Sequence, residues 1–178
     1  NSYGQLGDGT SLNDRNTPTP TQSLGLGRTA VEISAGSTHT CAILDNGSVS
    51  CWGRGGNSNL GVGSPLGHGN TNNLLVPTQI SNFGLGWSVV GISTGAFNSC
   101  GVLINGSVVC TGYNGYGQLG DGSTNSRNTT ALTSSLGVGR IVLSNWNSTQ
   151  NLGQSNQTAC NPGTFQPLTG QTGCLDAD

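Results

Sequence analysis

The sequence contains no lysine, no methionine and a single glutamate, and charged residues make up only 7% of its 178 residues. Its five basic residues are all arginines, spread along the chain, so there is no basic patch. Proteins bind nucleic acids by neutralising phosphates with clustered Lys and Arg, and this distribution therefore argues against a nucleic-acid partner. No apolar run approaches the roughly 18–20 residues that a helix needs to cross a bilayer, so we expect no membrane span in this segment.

Residues that favour helices at exposed positions are scarce, and Gly, Ser, Thr and Asn take their places. The chain has 31 glycines, and only 32% of its residues are hydrophobic, so any core must be thin and divided among small units. This composition predicts an all-β fold of short strands and turns.

The six cysteines lie in three close pairs: Cys41 with Cys51, Cys100 with Cys110, and Cys160 with Cys174. Paired cysteines in an even number predict a disulfide framework, which forms in an oxidising compartment. A zinc site is the alternative, but there is no C-x-x-C motif, and His39 and His68 do not have the spacing of ligands. We therefore expect three disulfides, no metal and an extracellular or cell-surface location. The sequence does not start with a signal peptide, so a secreted protein would be a mature form or a fragment.

Internal repetition organises the sequence. Residues 3–10 (Tyr-Gly-Gln-Leu-Gly-Asp-Gly-Thr) return 113 positions later as residues 116–123, and a weaker copy lies between them at residues 59–64. A second block, residues 33–51, recurs 59 positions later as residues 92–110. The offsets define a unit of about 55–60 residues, a period that is typical of propellers and other repeat architectures.

Each copy of the second block contains a predicted β-hairpin. Apolar residues alternate with small or polar ones on both sides of Asp45-Asn46-Gly47, and Asn-Gly supplies the positive φ angles of tight hairpin turns. With these three residues as the loop, Cys41 falls opposite Cys51, within reach of a disulfide. The same count places Cys100 opposite Cys110. Each bridge would stabilise a hairpin that is too small to be stable alone, by about 2–3 kcal/mol.

The repeated strings resemble a known family. Gly-Gln-Leu-Gly-Asp-Gly-Thr, Ala-Gly-x-x-His-Thr-Cys-Ala-Ile-Leu and Asn-Gly-x-Val-x-Cys-Trp-Gly occur in this order, and over residues 1–140 the chain looks like the repeat of the regulator of chromosome condensation family. The resemblance implies β-propeller blades of four-stranded antiparallel sheets. The cysteines that flank the hairpin are similar to those of the extracellular bacterial and archaeal branch. A closed ring of about seven blades needs roughly twice this length or more, so we expect about three blades that do not close.

We divide the chain into three regions. Residues 1–143 carry two full repeat units and a partial one, residues 144–159 form a polar linker, and residues 160–178 form a cysteine-rich segment. The last region, from Cys160-Asn161-Pro162-Gly163 to Cys174, resembles the short disulfide-bonded repeats of receptor ectodomains, although it lacks their further cysteine. Because the chain opens inside one repeat and stops inside another motif, it reads as a segment of a longer polypeptide.

No constellation of catalytic or cofactor-binding residues is evident. The glycine loops lack the lysine of a phosphate-binding loop, so we interpret them as tight turns. His39 and Asp45 could be combined with a serine, but the repeat places Asn98 at the equivalent of His39, which favours a structural hydrogen bond. Asp8 and Asp121 occupy matching loop positions and are interpreted as turn formers. We expect no enzymatic activity and no cofactor.

Three aromatic residues, Trp52, Tyr113 and Tyr116, lie near the expected blade junctions. We interpret them as internal packing of the blades, which is the common role of large aromatics; anchoring a binding partner is the alternative.

Five Asn-x-Ser or Asn-x-Thr sequons occur, at Asn46, Asn105, Asn128, Asn147 and Asn156. The first two are already explained as hairpin-turn residues. The other three lie in polar, loop-like sequence and are the better candidates for glycosylation, which would add mass to the intact chain.

These features favour an extracellular, non-catalytic protein-binding or adhesion module. The resemblance implies the same, because members of the family act mostly through protein–protein contacts. The alternative is a structural subunit of an extracellular filament or surface layer, in which neighbouring copies complete the missing blades through exposed strand edges.

Overall fold

The computed structural model describes residues 1–56, 63–81, 83–134, 164–165 and 175–176. Every helix or strand assigned within these residues is a β-strand, as the composition predicted. The first sheet contains β1 (Ala30–Ala35), β2 (His39–Leu44), β3 (Val49–Gly53) and β4 (Leu74–Gln79). The second contains β5 (Val89–Thr94), β6 (Asn98–Leu103), β7 (Val108–Gly112) and β8 (Arg127–Leu132).

Both sheets have four antiparallel strands in sequence order, which confirms the predicted blade architecture. The part of the predicted third repeat beyond residue 134 lies outside the described residues.

The predicted hairpin register is also observed. In the β2–β3 pair Cys41 lies directly opposite Cys51 and Ala42 opposite Ser50, and a disulfide joins the two cysteines. The β6–β7 pair repeats the arrangement with a disulfide between Cys100 and Cys110.

The hairpin loops differ from the prediction in one detail. Gly47 and Gly106 have φ angles of 76° and 80°, whereas the asparagines before them do not take positive φ. A three-residue hairpin loop needs the left-handed conformation only at its last residue, which is the glycine. Asn46 instead caps the turn, because its Oδ1 accepts hydrogen bonds from the backbone N–H and the hydroxyl of Ser48 at 3.1 and 2.7 Å.

The core lies between the two sheets. Alternate residues of a strand point to opposite faces, so Cys41, Ile43, Val49 and Cys51 all project from one face of the first sheet. They pack against one face of the second sheet, formed by Val89, Ile92, Leu103 and Val109. Three residues from connecting segments, Leu66, Ile80 and Phe83, complete this core. The first disulfide is therefore part of the apolar core, and both of its cysteines are fully buried.

The chain divides into two compact units, Asn1–Asn145 and Trp146–Asp178. In the second unit, β9 (Thr164–Phe165) pairs antiparallel with β10 (Leu175–Asp176). The predicted disulfide between Cys160 and Cys174 and the predicted linker 144–159 lie outside the described residues.

Candidate functional site

The first two glycine loops each dock on the sheet that follows them in the chain. In the first repeat the carbonyl of Gln5 accepts hydrogen bonds from the Thr40 hydroxyl at 3.0 Å and from Trp52 Nε1 at 2.9 Å. In the second the carbonyl of Pro65 accepts from the Ser99 hydroxyl at 2.7 Å. Ser99 follows Thr40 by 59 positions, so Pro65 is the structural counterpart of Gln5.

The second copy of the loop at residues 3–10 is therefore residues 63–70, and its predicted position at residues 59–64 is wrong. Gly7 and Gly67 occupy the same place in the two loops, with φ angles of 70° and 73°. The string Leu-Gly-x-Gly occurs twice in this stretch, at residues 60–63 and 66–69, and only the contacts to the sheet distinguish the two.

Asp8 and Asp121 hold their loops together, in keeping with the turn-forming role predicted for them. The carboxylate of Asp8 accepts hydrogen bonds from the Thr10 hydroxyl and backbone N–H at 2.7 and 3.0 Å and forms a salt bridge with Arg15. These contacts hold the pKa of Asp8 well below its usual range, and the hydrogen bond from the Thr10 hydroxyl has the largest effect. Asp121 makes the same contacts with Ser123 and Arg127, and they lower its pKa to about 2.

In the middle loop His68 stands where the other copies have an aspartate. Its Nδ1 lies 3.1 Å from the hydroxyl of Ser64, and burial lowers the pKa of the ring. Its Nε2 is buried without a hydrogen-bond partner among the described residues. The acidic group is therefore not needed at this loop position for docking on the sheet.

His39 forms a structural hydrogen bond between the sheets. Its Nε2 lies 2.8 Å from the hydroxyl of Ser99, which donates its own proton to the carbonyl of Pro65. His39 must then donate to Ser99, so it cannot act as the base that activates this serine. Asp45 lies at the far end of β2, 37% exposed, and pairs with Arg28 at 3.2 Å. The hydrolytic trio that the sequence allows is not assembled.

An arginine stacks between two aromatic rings where the sheets meet the glycine loops. The guanidinium carbon of Arg54 lies 4.8 Å from the ring centre of Tyr3 and 5.7 Å from that of Phe97. Tyr3 belongs to the first glycine loop, Arg54 follows β3, and Phe97 lies in the turn between β5 and β6. One cationic side chain thus connects both repeats at this edge of the sheets.

The aromatic row continues into the second repeat. The backbone N–H of Tyr113 donates to the carbonyl of Phe97 at 2.8 Å, and the Tyr113 and Tyr116 rings are edge-to-face with centres 6.0 Å apart. Tyr116 is 89% exposed and Phe97 is 38% exposed. We call this row the upper rim and define it by five residues: Tyr3, Arg54, Phe97, Tyr113 and Tyr116.

The expectation that the aromatics are internal packing holds for Trp52 and fails for Tyr116. Trp52 is buried, and its indole N–H is bonded to the glycine loop. Tyr116 occupies the loop position of Tyr3, and no further four-stranded sheet follows it among the described residues. Sequence reasoning did not identify Tyr3, Arg54 or Phe97 as functional candidates, because they belong to different segments and only the fold brings them together.

Three of the five sequons lie in the described residues, all with exposed asparagines. Asn46 and Asn105 are in the hairpin turns, as predicted. Asn128 lies in β8 and not in a loop, and its Oδ1 accepts a hydrogen bond from the backbone N–H of Ser64 at 2.9 Å. Asn147 and Asn156 lie outside the described residues, and glycosylation at any of the five stays a prediction.

The remaining features of the described residues add no chemical centre. A cavity of about 370 Å³ borders the second sheet and is lined by residues that include Glu32, Ile92, Cys100 and Val102. Within the described ranges no group of three His, Cys, Asp or Glu side chains is arranged to hold a metal. No helix among them is long and apolar enough to cross a membrane.

Comparison with protein families matches the repeated blocks. A family model described as "Regulator of chromosome condensation (RCC1) repeat" matches residues 30–59 and 89–118, and a second model with the same description matches residues 1–43. The chain is 34% identical over 135 residues to the E3 ubiquitin-protein ligase HERC2 of Homo sapiens, covering 75% of this chain and 3% of that protein. It is also 34% identical over 125 residues to the ultraviolet-B receptor UVR8 of Arabidopsis thaliana, covering 70% of this chain and 26% of the receptor.

Solved structures with the same fold include human WBSCR16, with a TM-score of 0.65 and 24% identity over 80% of this chain and 35% of that one. Prp20p from Saccharomyces cerevisiae has a TM-score of 0.59 and 18% identity, over 76% of this chain and 33% of that one. The chain therefore spans about a third or less of the length of each of these proteins.

Proposed function

Because this chain belongs to the regulator of chromosome condensation repeat family, we propose that it is an extracellular, non-catalytic protein-binding module whose upper rim is the recognition surface. RCC1-type repeats generally mediate protein binding. The solved structure of Prp20p was described together with its binding properties to Gsp1p and histones, and those partners are partners of that protein. A role in adhesion, or any particular partner, is part of our proposal.

The observation that carries the proposal is the stacking of Arg54 between Tyr3 and Phe97. Tyr, Trp and Arg dominate the binding energy of protein interfaces, and Tyr, Ser, Gly and Asn are the residues that antibodies use in their binding loops. Here rings and guanidinium are fixed by mutual contact before any partner arrives, so less side-chain entropy is lost on binding. The exposed rings of Tyr116 and Phe97 extend this surface along the edge of both sheets.

The extracellular location rests on the disulfides. Cys41–Cys51 and Cys100–Cys110 are both formed across paired strands, an arrangement that persists in oxidising compartments and is rare in the cytosol. Alkylation of the native protein before and after reduction tests this part, because free thiols on the native protein would contradict it. Intact-mass spectrometry of the native protein tests glycosylation, since a chain with the bare polypeptide mass would contradict the glycan hypothesis.

Rim variants test the proposed surface. We suggest immobilising the full chain as wild type, as the triple variant Arg54→Ala, Phe97→Ala, Tyr116→Ala, and as a control changed at an exposed residue at the opposite end of the second sheet, Leu132→Ala. Extracellular proteins from the native source that bind the wild type should be retained by the control and lost by the triple variant. Identical retention by all three would overturn the assignment of the upper rim.

The open faces of the sheets favour self-assembly as a second candidate function. Asn98, Cys100, Val102 and Val108 of the second sheet are partly exposed, whereas their counterparts in the first sheet, His39, Cys41, Ile43 and Val49, are buried against the second. At the other end, Val31 and Ile33 of β1 are 65% and 62% exposed. A second copy could place its first sheet on the second sheet of its neighbour, a head-to-tail contact that generates filaments when it does not close.

Light scattering and negative-stain microscopy separate the two functions. Long regular polymers that disappear on Val102→Asp would support the filament subunit. Monodisperse particles at all accessible concentrations would contradict the filament subunit and favour the protein-binding module.

A further inference from the structure

The edge of the sheets opposite the upper rim carries exposed apolar turn tips. We call it the lower rim: β1 and β3 begin there and β2 and β4 end there, as do their counterparts in the second sheet. Residues 25–28 and 84–87 form two turns, closed by hydrogen bonds from Arg28 N to Gly25 O and from Trp87 N to Gly84 O at 3.1 and 2.8 Å. Leu26 at the first tip is fully exposed, and Leu85 and Trp87 at the second are 42% and 54% exposed.

The apolar tip is a feature of the repeat. Leu85 follows Leu26 by 59 positions, the offset of the hairpin block, and both lie between two glycines. A single exposed leucine needs no explanation, but recurrence at the same point of successive repeats does. The residue two positions after the tip is Arg28 in one turn and Trp87 in the other.

Leu85 is held in a conformation that does not suit leucine. Its φ is 52°, in the left-handed region, where a residue with a Cβ atom is strained and glycine or asparagine is not. Folding alone would therefore favour a glycine or an asparagine at this tip. An exposed, strained side chain is better explained by a contact that it makes with something else.

Polar hairpin turns separate the tips. Just after the first tip, the carbonyl of Thr29 accepts a hydrogen bond from the backbone N–H of Asp45 at 3.0 Å. Just after the second tip, the backbone N–H of Val89 donates to the carbonyl of Gly47 at 2.9 Å. Hairpin turn 45–47 therefore lies between the two apolar tips. A protein interface desolvates one continuous central patch, which this alternation does not provide. A bilayer surface is fluid and accepts separate apolar side chains.

The residues beside the tips fit a neutral bilayer surface. Tryptophan and arginine concentrate at the membrane interface, where an apolar body and a polar end can both be satisfied. The charge of Arg28 is balanced by Asp45 at 3.2 Å, so this edge offers no excess positive charge for anionic lipids.

We propose that the lower rim binds the interfacial region of a zwitterionic lipid bilayer by inserting Leu26, Leu85 and Trp87. This site is independent of the protein-binding surface on the upper rim. Peripheral insertion of this kind does not involve a membrane-spanning element.

Co-sedimentation of the full chain with phosphatidylcholine vesicles tests the proposal. The double variant Leu26→Asn, Leu85→Asn should bind at least roughly tenfold more weakly, since it lacks the two leucine side chains that the bilayer buries in the wild type. Its midpoint of thermal unfolding should be equal to or above that of the wild type, because asparagine tolerates the backbone of Leu85. The upper-rim variant Phe97→Asn, Tyr116→Asn serves as the matched control and should bind vesicles as the wild type does.

Tryptophan fluorescence gives a second readout, with a blue shift on addition of vesicles that is lost in Trp87→Phe. Failure of the wild type to sediment with vesicles would overturn the proposal and leave a protein partner for the tips. Equal loss of binding in the tip variant and the upper-rim control would overturn it as well. Binding to phosphatidylserine vesicles alone would show attraction to charge and not insertion.

Discussion

The imidazole of His39 and the hydroxyl of Ser99 lie 2.8 Å apart in the buried interface between the two sheets. Since Ser99 in turn donates to the carbonyl of Pro65, a single chain of hydrogen bonds joins the first sheet, the second sheet and the second glycine loop. The fully buried ring is neutral in this arrangement, with the proton on Nε2, and its Nδ1 has no partner among the described residues. Protonation of His39 therefore opposes the packing of the sheets.

We expect stability to fall between pH 6.5 and about 4 because of His39. Burial lowers the pKa of His39 to about 4, so over this range the unfolded chain binds a proton that the folded chain does not. The loss should reach about 3 kcal/mol at the acidic end of the range and be absent above it. Urea unfolding at several pH values measures it. His39→Asn, which copies the asparagine of the second repeat, should flatten the dependence; an unchanged slope would contradict the assignment.

A second loss of stability, at lower pH, should come from the carboxylates of the glycine loops. Hydrogen bonds from Ser123 and Arg127 lower the pKa of Asp121 to about 2. The contribution of Asp121 to the free energy of unfolding is therefore fully present above its ordinary pKa of 3.8 and is lost as the pH falls towards 2. Asp121→Ala should destabilise the protein at neutral pH and reduce the slope of the melting temperature between pH 4 and 2. Asp45→Ala, which removes an exposed surface carboxylate, is the control and should retain the slope of the wild type.

Substitution of two glycines with nearly the same φ angle distinguishes the cost of backbone strain from the cost of a steric clash. Gly7 and Gly27 have φ angles of 70° and 68°. A Cβ at Gly27 would meet no atom within 4 Å, whereas one at Gly7 would lie 2.7 Å from Trp52 Nε1. Gly27→Ala should cost about 1–2 kcal/mol for the left-handed backbone, and Gly7→Ala should cost about 1–3 kcal/mol more for the clash. Chemical denaturation measures both; equal losses would mean that the loop does not pack on Trp52 in solution.

The two described disulfides should differ in their rate of reduction. Cys41 and Cys51 are buried in the core between the sheets, whereas Cys100 is partly exposed beside the cavity of the second sheet. An attacking thiol needs access to a sulfur atom, so dithiothreitol should open Cys100–Cys110 first. Timed alkylation and peptide mass spectrometry follow the two bonds separately. In urea the difference should vanish, and a difference that persisted there would point to a cause other than burial.

The hairpins were predictable from the sequence because their information is local. Ten positions separate Cys41 from Cys51, and a three-residue loop fixes which residues face each other. The copy of the same pattern at Cys100 and Cys110 made the register unambiguous. The left-handed glycine at the end of each loop follows from the same local geometry.

The second glycine loop and the upper rim were not predictable in this way. Two Leu-Gly-x-Gly strings compete within ten residues, and only docking of Pro65 on Ser99 identifies the functional copy. Arg54 and Phe97 are 43 positions apart, so their stacking depends on how the second sheet packs against the first. Tyr116 is exposed whereas its counterpart Tyr3 is half-buried, although both stand in the same Tyr-Gly-Gln-Leu-Gly-Asp-Gly string.

The sequence by itself determined the strand type, the repeat, the hairpin register and the two described cystine pairs, because alternation, turn residues and short spacings act over a few neighbouring residues. The tertiary structure decided which loop docks on which sheet, that His39 donates a hydrogen bond to Ser99, and that aromatic side chains from separate segments form one rim. These features arise where the two sheets pack, and contacts across a shared interface between distant segments leave no local pattern in the chain.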